Sequence, residues 1–239
     1  MSTKAYADFA WQQAEQLLSI DSPTGYTDYA ALWLKSSFEM LGFPASITTK
    51  GGILVDLGGE DENDGLLLAA HTDTLGGMVA EVNGNGRLRL TSLGGMNANN
   101  AETENVRVYT RGGKVLEGTF QLCNASVHVN GDYNSAKRSF DSMEVVLDED
   151  VSSAADTRKL GIEVGDIVCF DPRTRRTQSG YLKSRFLDDK LSVGILLGFA
   201  RYIADNHITL KRRTYLHVTV YEEVGHGGSG SLPHGVTEA

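Results

Sequence analysis

The sequence has few cysteines and no long apolar run, and each shortage excludes a class of protein. Its two cysteines, Cys123 and Cys169, lie far apart and outside any CxxC-type metal spacing, so we expect two reduced, partly buried thiols. The N-terminus lacks the apolar core of a signal peptide, and no stretch approaches the about 18 consecutive apolar residues of a membrane span. These absences favour a cytoplasmic protein with no membrane partner.

Clustered positive charge is also scarce. The 22 Lys and Arg residues are outnumbered by 31 Asp and Glu residues, which gives a net charge of -9. Nucleic-acid binding requires clustered basic side chains, so we expect no nucleic-acid partner. The one dense basic stretch, "LKRRTY" from Leu210 to Tyr215, is interpreted as a solvated turn between a helix and a strand.

The apolar residues that are present predict three long helices. Helical spacing occurs in "AWQQAEQLL", in "YAALWLKSSFEML" and in "SRFLDDKLSVGILLGFARYIADNH". The middle of the third segment is apolar almost all round, so we expect that helix to be buried. The segment "SIDSPTGYT", between the first two helices, is predicted to be a loop.

Strand patterns surround and separate these helices. "ASITTKGGILVDLGG" predicts a hairpin, and the unalternating "GLLLAA" predicts a strand in a sheet covered on both faces. "TYLHVTVYEEVG" alternates as a strand, with Leu216, Val218 and Val220 on one face. From Met78 to about Asp171, short strands separated by Gly and Asn turns indicate a β-rich, barrel-like unit. The predicted fold is an α/β domain, residues 1–77 and 172–239, interrupted by an inserted β-rich domain, residues 78–171.

Two groups of polar residues follow or begin these apolar elements. His71 and Asp73 come at the end of "GLLLAA", and if the strand continues their side chains point the same way. Asp188 and Asp189 begin the third helix, where the helix dipole favours carboxylates. In open α/β sheets, functional sites assemble at the carboxyl ends of the strands.

A third group, Glu222 and Glu223, ends the last alternating strand. Adjacent strand residues point to opposite sides, so we expect these two acids to have different roles. One imidazole and several carboxylates suit divalent ions such as Zn, Co or Mn, and the spare carboxylate of the pair suits a general base.

Each group also fits a structural role. A histidine at a strand end is often a buried core residue, two acids at a helix start often cap it, and two acids before a glycine often form a solvated strand end. The metal interpretation is favoured because unpaired carboxylates at buried positions are costly.

The motifs "AHTDTLG", "GIEVGD", "SRFLDDK" and "YEEVG" occur in this order over essentially the whole chain. In order and spacing they resemble the dinuclear metallo-aminopeptidases of the glutamyl/deblocking type, whose members build tetrahedral (TET) dodecamers. The resemblance implies a zinc-peptidase-like α/β catalytic domain with a mixed sheet flanked by helices, and an inserted barrel-like domain for dimerisation and assembly. It also implies peptide substrates and homo-oligomers in which dimers assemble to a dodecamer.

The same resemblance implies a site with two divalent metal ions per subunit, Zn, Co or Mn, about 3.5–4 Å apart. His71, Asp188 and Glu223 would be metal ligands, with Asp188 bridging both ions. Asp73 would orient the His71 imidazole, and Glu222 would be the general base. The expected activity is removal of N-terminal amino acids from peptides by attack of a metal-activated water.

The resemblance further implies an Asp and a late His ligand that would follow Ala239, so the catalytic domain is expected to lack its C-terminal third. His226 and His234 lie in a glycine-rich loop and are not expected to replace these ligands. Two alternatives remain: a catalytically incomplete assembly or peptide-binding subunit of the same fold, and a related two-metal amidohydrolase or deacylase.

Overall fold

A computed structural model describes residues 2–239, which form two compact units. One unit contains the chain up to Thr74 and from Pro172 onward, and the other is Leu75–Asp171. The first is a five-stranded sheet with helices, and the second is a closed six-stranded barrel. The predicted fold class, an α/β domain interrupted by a barrel-like β insert, is therefore confirmed.

The α/β unit begins with two helices and three strands: α1 Thr3–Leu18, α2 Asp28–Met40, β1 Ala45–Ile47, β2 Ile53–Asp56 and β3 Asp61–His71. The barrel unit follows: β4 Gly76–Val82, β5 Leu88–Leu93, β6 Glu104–Tyr109, β7 Val115–Leu122, β8 Met143–Leu147, α3 Ala154–Lys159 and β9 Ile167–Phe170. The α/β unit then resumes: β10 Arg175–Arg176, β11 Leu182–Lys183, α4 Leu187–Asn206, β12 Arg212–Thr219 and β13 Val236–Glu238. No helix in residues 2–239 is long and apolar enough to cross a membrane.

The sheet of the α/β unit is mixed, in the order β1-β2-β12-β3-β13. β1 and β2 form the predicted hairpin, and β12 pairs antiparallel to β2 and parallel to β3. The parallel register places Thr219 opposite His71, so β12 and β3 end side by side. This register brings the residues that follow the two strands to the same edge of the sheet.

The core of the α/β unit lies between one sheet face and the helices. Leu216 and Val218 of β12, together with Ile53 and Val55 of β2, are fully buried in it. The alternation of Leu216 and Val218 along β12 is the predicted one. The other face is also largely covered, as predicted, because Leu67 of β3 and His217 of β12 are buried there, although Ala69 is exposed.

Helix α4 packs closely on α1 through glycines. A Cβ added at Gly198 would lie 2.7 Å from the Ala10 Cβ, and one at Gly194 would lie 2.7 Å from the Ala14 Cβ. The prediction that this helix is buried all round is wrong, because Ile195 is 55% exposed. Small residues bring α4 close to α1, and the exposed Ile195 lies beside this contact, next to Ala10 and Gly198.

The basic stretch was also misplaced by the sequence interpretation. Arg212 and Arg213 begin β12 rather than forming a solvated turn. Arg212 forms an ion pair with Asp64, and Arg213 forms one with Asp56. Acidic partners on the neighbouring chain segments allow these two cations to occupy strand positions.

The barrel unit closes in the strand order β4-β5-β8-β7-β6-β9. Its interior contains the fully buried rings of Phe120 and Phe170, which meet edge to face at 5.4 Å between centroids. Cys169 is buried, whereas Cys123 is exposed, so only one of the two reduced thiols is enclosed.

Candidate functional site

The imidazole of His71 is held from both sides at the end of β3. Its Nδ1 lies 3.0 Å from the main-chain oxygen of Asp73 and 3.6 Å from the Asp73 Oδ1. Its Nε2 lies 3.0 Å from the Asp188 Oδ1 and 3.5 Å from the Glu222 Oε2. The His71 side chain is 8% exposed, whereas those of Asp188 and Glu222 are 90% and 54% exposed. The ring is therefore buried, with one nitrogen directed toward solvent-accessible carboxylates.

Asp73 connects the imidazole to two other segments of the chain. Its carboxylate is fully buried. The Thr24 hydroxyl donates to Oδ2 at 2.7 Å, the Glu222 amide donates to Oδ1 at 3.2 Å, and the Glu223 amide donates to Oδ2 at 3.3 Å. Burial alone raises the pKa of Asp73, but the hydrogen bonds from His71, Thr24 and Glu222 outweigh it and lower the pKa. Asp73 is thus a buried carboxylate kept ionised by its donors.

The start of α4 supplies two carboxylates with different contacts. Asp188 and Asp189 have non-helical backbone angles, so regular helix begins after them. The Asp188 side chain faces the His71 ring, whereas the Asp189 Oδ2 accepts a hydrogen bond from the His71 main-chain amide at 3.3 Å. Next in the chain, the buried Lys190 ammonium donates to the main-chain oxygens of Leu17 at 3.0 Å and Ile20 at 2.5 Å.

Glu222 and Glu223 do not continue the strand as predicted. β12 ends at Thr219, and Glu222–Val224 is a turn of 3₁₀ helix. The expectation that strand alternation separates their side chains is therefore wrong. The turn directs both amides at the Asp73 carboxylate, and it is entered through Tyr221 at a left-handed φ of 65°. A non-glycine residue in that region carries strain, a feature that clusters at functional sites.

Negative charge is concentrated around the single imidazole. Burial lowers the pKa of His71, but hydrogen bonds to Asp73 and Asp188 outweigh it and raise the pKa to about 9. Burial also raises the pKa of Glu223 to about 6, and the charges of Asp73, Asp188 and Glu222 add to this although His71 opposes it. Carboxylates that crowd one another in this way favour a bound cation.

The residues fit a divalent cation by donor chemistry. One imidazole nitrogen with nearby carboxylate oxygens is a ligand set that Zn, Co and Mn accept. Within residues 2–239, however, no three His, Cys, Asp or Glu side chains are already arranged as a metal-binding group. The carboxylates within 4 Å of Nε2 in this range are those of Asp188 and Glu222, and not that of Glu223. The assignment of His71, Asp188 and Glu223 as ligands therefore stays a prediction.

The sequence interpretation missed Thr24. It also did not predict that the Asp189 carboxylate bonds to the main-chain amide of His71. Thr24 lies in the loop between α1 and α2, and nothing in its spacing connects it to Asp73, 49 positions later. A usable signal was the run of Ser and Thr in "DSPTGYT", since such hydroxyls often bond to nearby polar groups.

Comparisons with known proteins agree with this architecture. The family model described as "M42 glutamyl aminopeptidase" matches residues 51–238. "Putative aminopeptidase YhfE" of Bacillus subtilis is 40% identical over 219 residues, which is 92% of this chain and 63% of that protein.

Two solved structures share the fold at lower identity. The TET aminopeptidase from Thaumarchaeota archaeon SCGC AB-539-E09 matches with a TM-score of 0.81 and 23% identity, covering 92% of this chain and 60% of that one. The TET1 peptidase of Pyrococcus horikoshii, described as assembling into a tetrahedron or a large octahedral shell, matches with a TM-score of 0.75 and 21% identity, covering 90% and 62%. The chain thus spans less than two thirds of the length of each relative. Since the family model covers most of the sequence, the chain belongs to the M42 glutamyl aminopeptidase family.

Proposed function

We propose that this chain carries active-site residues of a metal-dependent aminopeptidase that removes N-terminal amino acids from peptides. The observation that carries the proposal is the placement of the buried His71 ring. Its Nε2 faces the accessible carboxylates of Asp188 and Glu222 at 3.0 and 3.5 Å, while Asp73 supports the opposite nitrogen. A buried imidazole supported by a carboxylate and directed at further carboxylates is typical of a metal ligand in a hydrolase.

The proposed ligands from this chain are His71, Asp188 and Glu223, with two ions of Zn, Co or Mn per subunit. The bound ions would supply polarisation of the scissile carbonyl and a lowered pKa for the attacking water. Asp73 keeps the imidazole in one orientation through contacts at its Nδ1 side. Asp188 and Glu223 bring negative charge from two different elements, α4 and the 3₁₀ turn after β12.

Glu222 is the proposed general base. Its side chain is 54% exposed, so water and substrate can reach it, while its own amide is fixed to Asp73. It accepts a proton from the water whose oxygen bonds to the carbonyl carbon. It then delivers that proton to the leaving amine as the C–N bond breaks, so that the free amino acid and the shortened peptide are released.

Hydrolysis of aminoacyl p-nitroanilides tests the activity, with the chain supplied in turn with Zn²⁺, Co²⁺ and Mn²⁺. We expect turnover that a chelator abolishes and that Glu222→Gln reduces by about 10²-fold or more. Glu60→Gln, at another exposed glutamate of the same unit, should leave the rate unchanged. Turnover that resists the chelator, or that is unaffected in Glu222→Gln, would refute the mechanism. Metal binding without turnover would favour a peptide-binding or assembly subunit.

We also propose that the protein is a homo-oligomer. The support is the fold shared with the TET1 peptidase of Pyrococcus horikoshii, whose description names closed shells. Light scattering coupled to size-exclusion chromatography measures the mass directly. A single species near the 25.9 kDa of one chain would contradict the proposal.

A further inference from the structure

We infer that Thr24 is a positioning residue, whose hydroxyl fixes the Asp73 carboxylate and through it both the His71 ring and the Glu222–Glu223 turn. Within residues 2–239, no hydrogen bond joins Thr24 to His71, Asp188 or Glu223. Its contact is with Asp73 Oδ2 at 2.7 Å, and both residues are buried, at 6% and 0% exposure.

The loop that carries Thr24 is tied to the chain that follows β3. Ser22 and Thr24 bond to Thr74 through the main chain: the Thr74 amide donates to the Ser22 oxygen at 2.9 Å, and the Thr24 amide donates to the Thr74 oxygen at 3.1 Å. The Ser22 hydroxyl donates to the main-chain oxygen of Thr72 at 2.7 Å. These bonds flank Asp73 on both sides, so the backbone at Thr24 is fixed beside the carboxylate that its hydroxyl contacts.

The Asp73 carboxylate has one orientation that satisfies all its donors. Thr24 and the Glu223 amide meet at Oδ2, at 2.7 and 3.3 Å. This leaves Oδ1 for the Glu222 amide at 3.2 Å and for the His71 ring at 3.6 Å. The shortest of these contacts is that of Thr24, which argues that its hydroxyl sets the rotation of the carboxylate.

Removal of the hydroxyl should therefore loosen groups to which Thr24 itself makes no hydrogen bond. In Thr24→Val, Oδ2 keeps only the longer bond from the Glu223 amide, and the carboxylate can rotate. The hydrogen bonds from the Glu222 and Glu223 amides to Asp73 should then break more often. Loss of a partner that supports a metal-binding histidine typically lowers metal affinity by about 10- to 100-fold. We expect Thr24→Val to fall near the lower end of that range, because it acts through Asp73.

The first arm of the test is amide hydrogen exchange on the metal-free chain by NMR. We expect Thr24→Val to speed exchange of the Glu222 and Glu223 amides by about tenfold or more, the usual effect of weakening a bond to a charged group. Thr24→Ser, which keeps the hydroxyl, should stay within about twofold of the wild type on the same grounds. Thr27→Val is the matched control, since Thr27 is 5% exposed in the same loop and its side chain makes no capping bond. Amides of β2 and α4, which belong to the same unit as Thr24, report whether each variant is folded.

The second arm is titration with Co²⁺, followed by its visible absorption. This arm rests on the proposed function, whereas the exchange arm does not. An affinity reduced about tenfold in Thr24→Val and restored in Thr24→Ser would support the inference. A wild-type chain that binds no Co²⁺ would refute the metal site, and the exchange rates would still decide the role of Thr24. Unchanged exchange at both amides in Thr24→Val, or equal effects of Val and Ser, would overturn the inference.

Discussion

Replacing Gly198 by alanine should destabilise the α/β unit, although alanine is the better helix former. An added Cβ would lie 2.7 Å from the Ala10 Cβ of α1, with the Ala10 Cα and the Tyr6 oxygen at 3.4 Å. Carbon atoms pack favourably at about 3.5–4.0 Å, so the two helices must separate by close to 1 Å. None of these three atoms belongs to a flexible side chain that can move aside.

The net effect follows from two opposing terms. Gly to Ala inside a helix gains about 1 kcal/mol in propensity. Overpacking a well-packed contact costs about 1–3 kcal/mol. We therefore expect Gly198→Ala to lower the free energy of unfolding by about 0–2 kcal/mol. The double variant Ala10→Gly/Gly198→Ala moves the methyl group from one helix to the other and should return close to wild-type stability.

Urea unfolding followed by tryptophan fluorescence measures this effect in the relevant unit. Both tryptophans, Trp11 in α1 and Trp33 in α2, belong to the α/β unit, so the signal excludes the barrel. The four chains of the double-mutant cycle should give a favourable coupling of about 1–3 kcal/mol. If the effects of Ala10→Gly and Gly198→Ala on unfolding free energy simply add, the close contact does not limit packing. The same conclusion would follow if Gly198→Ala stabilised the chain by the full gain in helix propensity.

Three further predictions concern other parts of the molecule. His207 ends α4 at a left-handed φ of 50° and is exposed, so His207→Gly should raise Tm by about 1–4 °C in a thermal melt, while a matched His207→Ala should give no rise. Zn²⁺ at about 100 times its Kd should stabilise the chain by about 2.7 kcal/mol; EDTA should reverse this, and a shift that persists in His71→Ala would contradict the assignment of that ligand. Partial burial of its sulfur and the Glu144 carboxylate raise the pKa of Cys123. Near neutral pH, iodoacetamide should therefore label Cys123 more slowly than it labels the thiol of a short unstructured peptide, and labelling should be faster in Glu144→Gln. Equal labelling rates of Cys123 in the wild type and in Glu144→Gln, measured by mass spectrometry, would refute that reasoning. The buried Cys169 should react only when the protein unfolds.

Periodicity predicted most of the α/β unit, because burial on one side of a helix or strand leaves a local record. The first two helices, the β1–β2 hairpin and β12 all follow from apolar spacing. The same spacing also predicted the helix α4, but not how it is buried, because small residues form its contact with α1. Gly194 and Gly198 are packed against α1, whereas the apolar Ile195 is largely exposed. Close approach of two backbones depends on the partner helix, which no spacing within α4 reveals.

The candidate site shows the same limit. The sequence pointed to His71, Asp188 and Glu222 because each follows an apolar strand or begins a helix. In the structure, the carboxylates of Asp188 and Glu222 lie within 3.5 Å of the His71 Nε2. The geometry of the two glutamates was predicted wrongly, since a strand pattern does not show that the chain turns at Tyr221.

The sequence by itself determined the fold class, the barrel-like insert and the residue types of the site, because periodicity, turn residues and charge are local properties. Only the tertiary structure decided which groups surround Asp73. Its donors come from the α1–α2 loop and from the turn after β12, segments 49 and 149 positions away. A buried carboxylate takes whatever donors the packed chain presents to it, and that set depends on how β3 and β12 lie side by side.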